Sequence, residues 1–378
     1  MRLRVLIVPD KFKGTLSARQ AAVAIARGWK KARPGDQLTL LPMSDGGDGF
    51  GEVMGNSLGA VPRTVATCDA AHRRRLARWW WQPRTRTAIL DTARVVGLAL
   101  LPTGKFYPFE LDTYGLGALL RAALKAGAGR CLVGLGGSAT NDAGFGLARA
   151  LGWKFEDHRG KVIERWIDLV NLARVSPPAS GSKMPELVIA VDVQNPLLGS
   201  RGATRVYGPQ KGLRPRDFAT AERALGRLAN VMKRARKFDD ARVAGAGAAG
   251  GLGFGFLAFL GGQLSPGFEL FAREVGLEQA LRRTDLVITG EGAIDLSTTM
   301  GKGAGCVARL CSQMRLPCVG LSGSIDRSSA SEKMFAHARA LTDLTTAEQA
   351  KSKPARWLEI LAEQTAAAWS GERQDVER

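Results

Sequence analysis

Residues 4–10 read RVLIVPD, an apolar run that stops abruptly on an acid. The same form recurs in QLTLLPMSDGGDG (37–49), RCLVGLGGSATNDAG (130–144), ELVIAVDVQNP (186–196), DLVITGEGAID (285–295) and PCVGLSGS (317–324). Each run is continuously apolar instead of alternating, which is the pattern of strands buried on both faces. Helical patterns lie between several of them. One runs from Ser17, a candidate N-cap, to Ala32, with apolar positions at Ala21, Ala22, Ile25, Ala26 and Trp29. Others run from Thr113 to Ala126 and from about Lys302 to Met314. Strand, polar turn and helix in repetition predict an α/β fold with a mostly parallel sheet.

Such sheets bind ligands beyond the carboxyl ends of their strands. Asp10, Asp45, Asp48, Asp142, Asp192, Glu291 and Asp295 all stand at those ends. One acid in a loop is an ordinary turn residue; the same chemistry in five loops points to a site. Converging carboxylates suit Mg2+ or a general base for a hydroxyl. No G-x-x-x-x-G-K-[ST] occurs, and no strand leads into a G-x-G-x-x-G with an acid about 20 residues on. Phosphate would then sit on other glycine-lined turns, whose bare backbone allows close approach. The candidates are Ser44, Gly46 and Gly47; Gly136, Gly137, Ser138, Asn141 and Asp142; and Gly290 with Gly292. Lys13, close behind Asp10, could neutralise an anion. Together these residues describe an α/β enzyme that handles phosphate with Mg2+.

The length of 378 residues predicts two domains at roughly 100–200 residues each. Residues 63–125 look unlike the rest: TVATCDA, ARWWWQP and TAILDTA are short strands with no helix between them. Trp79, Trp80 and Trp81 could stack on nucleic-acid bases, but three consecutive strand residues point to both faces, which favours packing. Residues 196–282, with the Gly/Ala tract 245–253, are also irregular. Together these two stretches are assigned to a second, smaller α/β domain, and 1–62, 126–195 and 283–378 to the main one. The last residues, SGERQDVER, read as a polar, fraying tail.

A net charge of +19 admits a nucleic-acid binder. Its densest runs, 72–75 and 233–237, are short, and the remainder is scattered, as on a solvated surface. Five cysteines without a Cys-x-x-Cys pair exclude a disulfide framework and a zinc pattern, and favour a reducing compartment. The apolar stretch at the N-terminus is too short for a signal peptide, and no run approaches a membrane span. A cytoplasmic protein is expected.

The blocks VPDKFKGTLSA (8–18) and PMSDGGDG (42–49) resemble the P-D-S-F-K-G-S-L-S-A and P-M-A/S-D-G-G-E-G segments of bacterial type I glycerate kinases. GLGGSATNDAG (134–144), DVQNPLLG (192–199), YGPQKG (207–212), GAGAAGGLG (245–253) and ITGEG (288–292) continue the likeness in order, from Val5 to about Gly323. The resemblance implies ATP-dependent phosphorylation of D-glycerate, most often at the 2-hydroxyl. It also implies a Rossmann-like domain and a second α/β domain with the site in the cleft between them. A homodimer is compatible with it. The matching blocks add Asp10, Lys11, Asn195 and Lys211 to the substrate and phosphate candidates. Asp192, Asp45 and Lys13 are the catalytic candidates, with Asp192 the preferred base and Asp45 its rival. Asp48, Glu291 and Asp295 are the metal candidates. Lys11 replaces a usual Ser, and Ala293 and Ser297 replace an Arg and a Gln, so a kinase of altered acid specificity is one alternative. A basic binding protein without turnover is the other.

Overall fold

The computed structural model describes residues 2–179, 184–299, 303–329 and 331–369. In chain order the strands are β1 (Arg4–Pro9), β2 (Gln37–Leu40), β3 (Val61–Cys68), β4 (Arg74–Gln82), β5 (Thr87–Asp91) and β6 (Arg130–Gly134). They continue with β7 (Lys154–Asp157), β8 (Leu172–Ser176), β9 (Glu186–Val191), β10 (Gln263–Pro266), β11 (Leu286–Ile294), β12 (Cys318–Ile325) and β13 (His337–Ala340). The helices used below are α1 (Ala18–Ala32), α2 (Phe50–Ser57), α3 (Leu116–Lys125) and α4 (Phe145–Ala150). After them come α5 (Phe218–Arg236), α6 (Ala248–Leu260), α7 (Gly303–Gln313) and α8 (Pro354–Ala368). Every apolar run that stops on a polar residue is a strand, and Ser17 caps α1 through a reciprocal bond pair with Gln20. The expected start of α7 at Lys302 and the polar tail lie outside the described residues.

The chain divides into two units, Met1–Asp45 with Phe268–Arg378, and Gly46–Gly267. The first holds an all-parallel sheet in the order β13-β12-β11-β1-β2. Val5 and Ile7 of β1 and Leu286 and Ile288 of β11 share a core with Ile25 and Trp29 of α1 and Leu358 and Leu361 of α8. β2 departs from the expected burial on both faces. It is largely exposed, because it pairs only with β1 at the sheet edge.

The second unit holds a mixed sheet in the order β10-β9-β6-β5-β4-β3. Its members β10, β9, β6 and β5 are parallel, while β4 is antiparallel to both of its neighbours, β5 and β3. The expected division of the chain is therefore corrected. β6 and β9 were grouped with β1, but they hydrogen-bond to each other, and β6 pairs with β5. Residues 126–195 thus belong with 63–125, and this unit is the larger one. All three tryptophans of β4 are buried, which removes the stacking platform. Trp79 and Trp81 enter the sheet's core, whereas Trp80 lies against α2. A Cβ on Gly51 or Gly55 would stand 2.2 or 2.4 Å from the Trp80 ring, so the two glycines seat the indole.

Charge is also partly neutralised locally. Arg73 pairs with Asp69, Lys233 with Asp239 and Arg236 with Asp240, all within or beside the two densest basic runs. All five cysteines are free thiols. Among the described residues no helix is long and apolar enough to cross a membrane.

Candidate active site

In the first unit the acids gather where β1 ends beside Gly290 of β11. Pro9 is in register with Gly290, which brings Asp10 level with Glu291. Both carboxylates turn toward the start of α7: a Cβ on Gly303 would lie 3.3 Å from Asp10 Oδ2 and 3.4 Å from Glu291 Oε2. Burial pushes the Glu291 carboxyl up to about 8, and Asp10, Asp295 and Asp45 add repulsion. The Thr298 hydroxyl, donating to Glu291 Oε1 at 3.1 Å, offsets part of this.

Lys11 reaches Asp45 Oδ1 at 3.3 Å, while Lys13 is exposed on the turn that follows. Ser44 is buried in the loop after β2. Two readings change here. Gly290, Glu291 and Gly292 do not form a turn, because β11 runs on to Ile294 and still pairs with β12 at Ala293 and Ile294. Asp295 closes a local turn, accepting from the Ser297 amide at 2.8 Å and the Ser297 hydroxyl at 2.6 Å. Ser297, a departure from the family pattern, thus holds one of the candidate metal acids.

Among the described residues no three His, Cys, Asp or Glu side chains are grouped to hold a metal unaided. Mg2+ asks for less, since it is commonly held by one or two carboxylates together with substrate phosphates. The Asp10–Glu291 pair, with Glu291 destabilised as an anion first by burial and then by its acidic neighbours, fits that role.

In the second unit, Gly46 and Gly47 are buried and Asp48 is exposed beside the Gly136–Gly137 turn. A Cβ on Gly136 would stand 2.4 Å from Asp48 Oδ1, so only glycine admits that carboxylate. The next residue, Ser138, donates to the Ala249 carbonyl at 2.9 Å and accepts from Lys211 Nζ at 3.1 Å. Lys211 also donates to the Thr140 carbonyl at 2.7 Å. The lysine is a buried brace between the Gly136–Ser138 turn and the Gly/Ala tract. Gly250 completes this contact with φ +73°; a Cβ there would sit 1.9 Å from the Thr140 carbonyl oxygen. Gly250→Ala should lower unfolding stability by about 3 kcal/mol or more, from backbone strain plus overpacking. Equal urea midpoints for variant and parent would contradict this account.

Burial pushes the Lys211 amine down to about 7, against a smaller upward pull from Asp142. Between that value and the ordinary lysine range the unfolded chain binds the extra proton, so stability rises with pH. Urea midpoints should climb above pH 7, by up to about 1.4 kcal/mol per unit. Lys211→Met should lack this rise. Parallel pH curves would show that the lysine is charged throughout.

Asn141 and Asp142 are fully buried and belong to the framework. Asn141 donates to Thr204 Oγ1 at 3.0 Å. Asp142 Oδ2 accepts from the Thr113 amide and hydroxyl at 2.9 and 2.7 Å and from the Gly146 amide at 2.9 Å, which ties the start of α4 to the segment before α3. Burial pushes this carboxyl up to about 6. Asp192 has the opposite setting: it stands exposed just past β9. Burial first and Asp192 second push the nearby Tyr207 phenol up to about 12. Tyr207 donates to Asn195 Oδ1 at 2.6 Å, and Asn195 donates to the Arg201 carbonyl at 2.7 Å, which makes the turn after Asp192 rigid. Asp91 was not among the expected site residues, although it ends the apolar run TAILD as the other acids end theirs.

Comparison with known proteins decides the family. The model of the glycerate kinase family matches residues 5–370. The chain belongs to the glycerate kinase family. A Bacillus subtilis (strain 168) glycerate kinase is 38% identical over 331 residues, covering 86% of each chain. Escherichia coli (strain K12) glycerate 2-kinase is 36% identical over 326 residues, covering 85% of this chain and 86% of its own. The crystal structure of a Salmonella typhimurium LT2 protein assigned to glycerate kinase 2 superimposes with a TM-score of 0.83 at 33% identity, over 97% of this chain and 98% of that one. The match of this glycerate kinase family member to a solved relative therefore spans both units, and the order of blocks expected from the motifs holds over nearly the whole chain.

Proposed function

We propose that the chain transfers the terminal phosphoryl group of ATP to D-glycerate, at the 2-hydroxyl, to give 2-phosphoglycerate. Family membership over residues 5–370 carries this reading, joined to acids and glycine turns at strand ends in both units. In the second unit, Asp192 takes the hydroxyl proton, and the Gly136–Gly137–Ser138 turn, with Lys211 behind it, offers backbone amides to phosphate. In the first unit, Lys13 and Lys11 meet negative charge, with Asp45 holding Lys11 in place. Asp10 and Glu291 would hold Mg2+, with Asp295 as the further acid of that unit; in the second unit Asp48 is the metal candidate. The ion neutralises phosphate charge when it is bound.

The five free thiols suit a reducing cytoplasm, and a homodimer is the assembly proposed. Phosphorus NMR of the product tests the position of transfer. A phosphate coupled to one proton is the 2-ester, and coupling to two equivalent-carbon protons marks the 3-ester and contradicts the reading. A second reading, a related hydroxy acid as acceptor, draws on Ala293 and on Ser297, whose hydroxyl is committed to Asp295.

A further inference from the structure

Thr298 touches two of the acids gathered in the first unit. Its hydroxyl meets Glu291 Oε1 at 3.1 Å, and among the described residues no other hydrogen bond reaches the Glu291 side chain. The residue is fully buried, in the short helical turn Leu296–Thr299 that follows β11. The same hydroxyl oxygen lies 3.2 Å from the Asp295 amide nitrogen. An amide can only donate, so the hydroxyl accepts there and its single proton goes to Glu291. Chemistry alone fixes the direction of that bond.

The backbone around Thr298 is held from three directions. Its amide donates to the Asp295 carbonyl at 3.0 Å, and Ser297 closes the same turn onto the Asp295 carboxylate. A Cβ on Gly305 would stand 1.9 Å from the Thr298 carbonyl oxygen, so α7 packs directly against it. Arg309 of α7 donates to the next carbonyl, that of Thr299, at 3.1 Å. With Oε1 engaged by this fixed hydroxyl, Oε2 is the Glu291 oxygen that faces Gly303. Asp10 Oδ2 points to the same place, the two standing 3.4 and 3.3 Å from the position of a Cβ there.

We infer that Thr298 is a positioning residue, which fixes the rotation of the Glu291 carboxylate so that Oε2 is offered beside Asp10 Oδ2 to a divalent cation. A hydrogen-bonding partner behind a ligating carboxylate holds its orientation and is felt in the affinity for the metal. The inference rests on the reading of Asp10 and Glu291 as the Mg2+ acids, to which it adds the residue that orients one of them.

Titration of the full chain with Mn2+, with free Mn2+ followed by electron paramagnetic resonance, tests this without turnover. Thr298→Val keeps the shape and removes the hydroxyl, so Mn2+ affinity should fall by about 10-fold or more. Thr298→Ser keeps the hydroxyl and should hold the affinity within about threefold of the parent. Thr298→Cys, a weaker donor of similar size, should fall between them, and it supplies the reading if the valine variant does not fold. In a Glu291→Gln background, Thr298→Val should change the affinity by less than about twofold, because both changes act on one carboxylate. Parent-like affinity in the valine and cysteine variants overturns the assignment. So do equal losses in the serine and valine variants, or a full loss that persists beside Glu291→Gln. A parent that binds no Mn2+ overturns the inference and the metal reading together. If the serine variant retains the affinity that the valine variant loses while D-glycerate is not phosphorylated, the positioning role stands and the acceptor falls.

Discussion

Asp192→Asn should lower the turnover number for D-glycerate by about 10²-fold or more, the contribution of a positioned general base. Asparagine keeps the shape of the side chain and removes its basicity. The position favours this role over the other acids. β9 brings five consecutive buried residues to the end of the sheet, and the next residue, Asp192, is exposed there. The backbone beyond it is held by the Tyr207–Asn195–Arg201 chain of hydrogen bonds, so the carboxylate stands on a rigid support. By contrast Asp142 is enclosed by Thr113 and Gly146. The KM for ATP should move by less than about twofold, because a base acts on the acceptor and not on the donor. A variant that turns over normally would move the role to Asp45 or Asp295.

Chelation of divalent cations should reduce ATP turnover to background, and added Mg2+ should restore it. The argument is electrostatic. Glu291 sits among Asp10, Asp45 and Asp295, and with its carboxyl pushed up to about 8 by burial it becomes a carboxylate ligand near neutral pH only when a cation lies against it. A triphosphate cannot approach these acids unless a cation stands between them. Lys11 lies in this group but is engaged with Asp45. Full turnover in excess chelator would show that protein cations alone neutralise the donor, and the assignment of Asp10 and Glu291 would fall with it.

The strands and their terminal acids were legible in the sequence for a simple reason. A strand covered on both faces must be apolar throughout, and the chain can become polar only where it leaves the sheet. Neighbour relations were not legible in the same way. LVIAV of β9 and VLIV of β1 are the same kind of run, and nothing in either says that β9 pairs with β6 and β1 with β11. The division into units was misplaced for that reason. Site residues divided along a similar line. Asp192 and Asp142 follow equally apolar runs, yet one is exposed and the other is enclosed by Thr113, a residue 29 positions away in sequence. Only tertiary contacts separate them. Gly290 and Gly292 looked like turn residues because glycine usually marks a turn, but here they continue a strand against β12. Asp91 ends TAILD as the other acids end their runs, but it lies in a stretch without helical patterns between its strands.

The central claim is that this chain phosphorylates D-glycerate, and a coupled ADP-release assay tests it most directly. The purified protein is supplied with ATP and Mg2+, and with D-glycerate, L-glycerate, tartronate or hydroxypyruvate in separate reactions. Release of ADP that depends on D-glycerate, and exceeds that with each of the other acids, is the result expected. ADP release driven best by another acid, or none above the acceptor-free background, would contradict it.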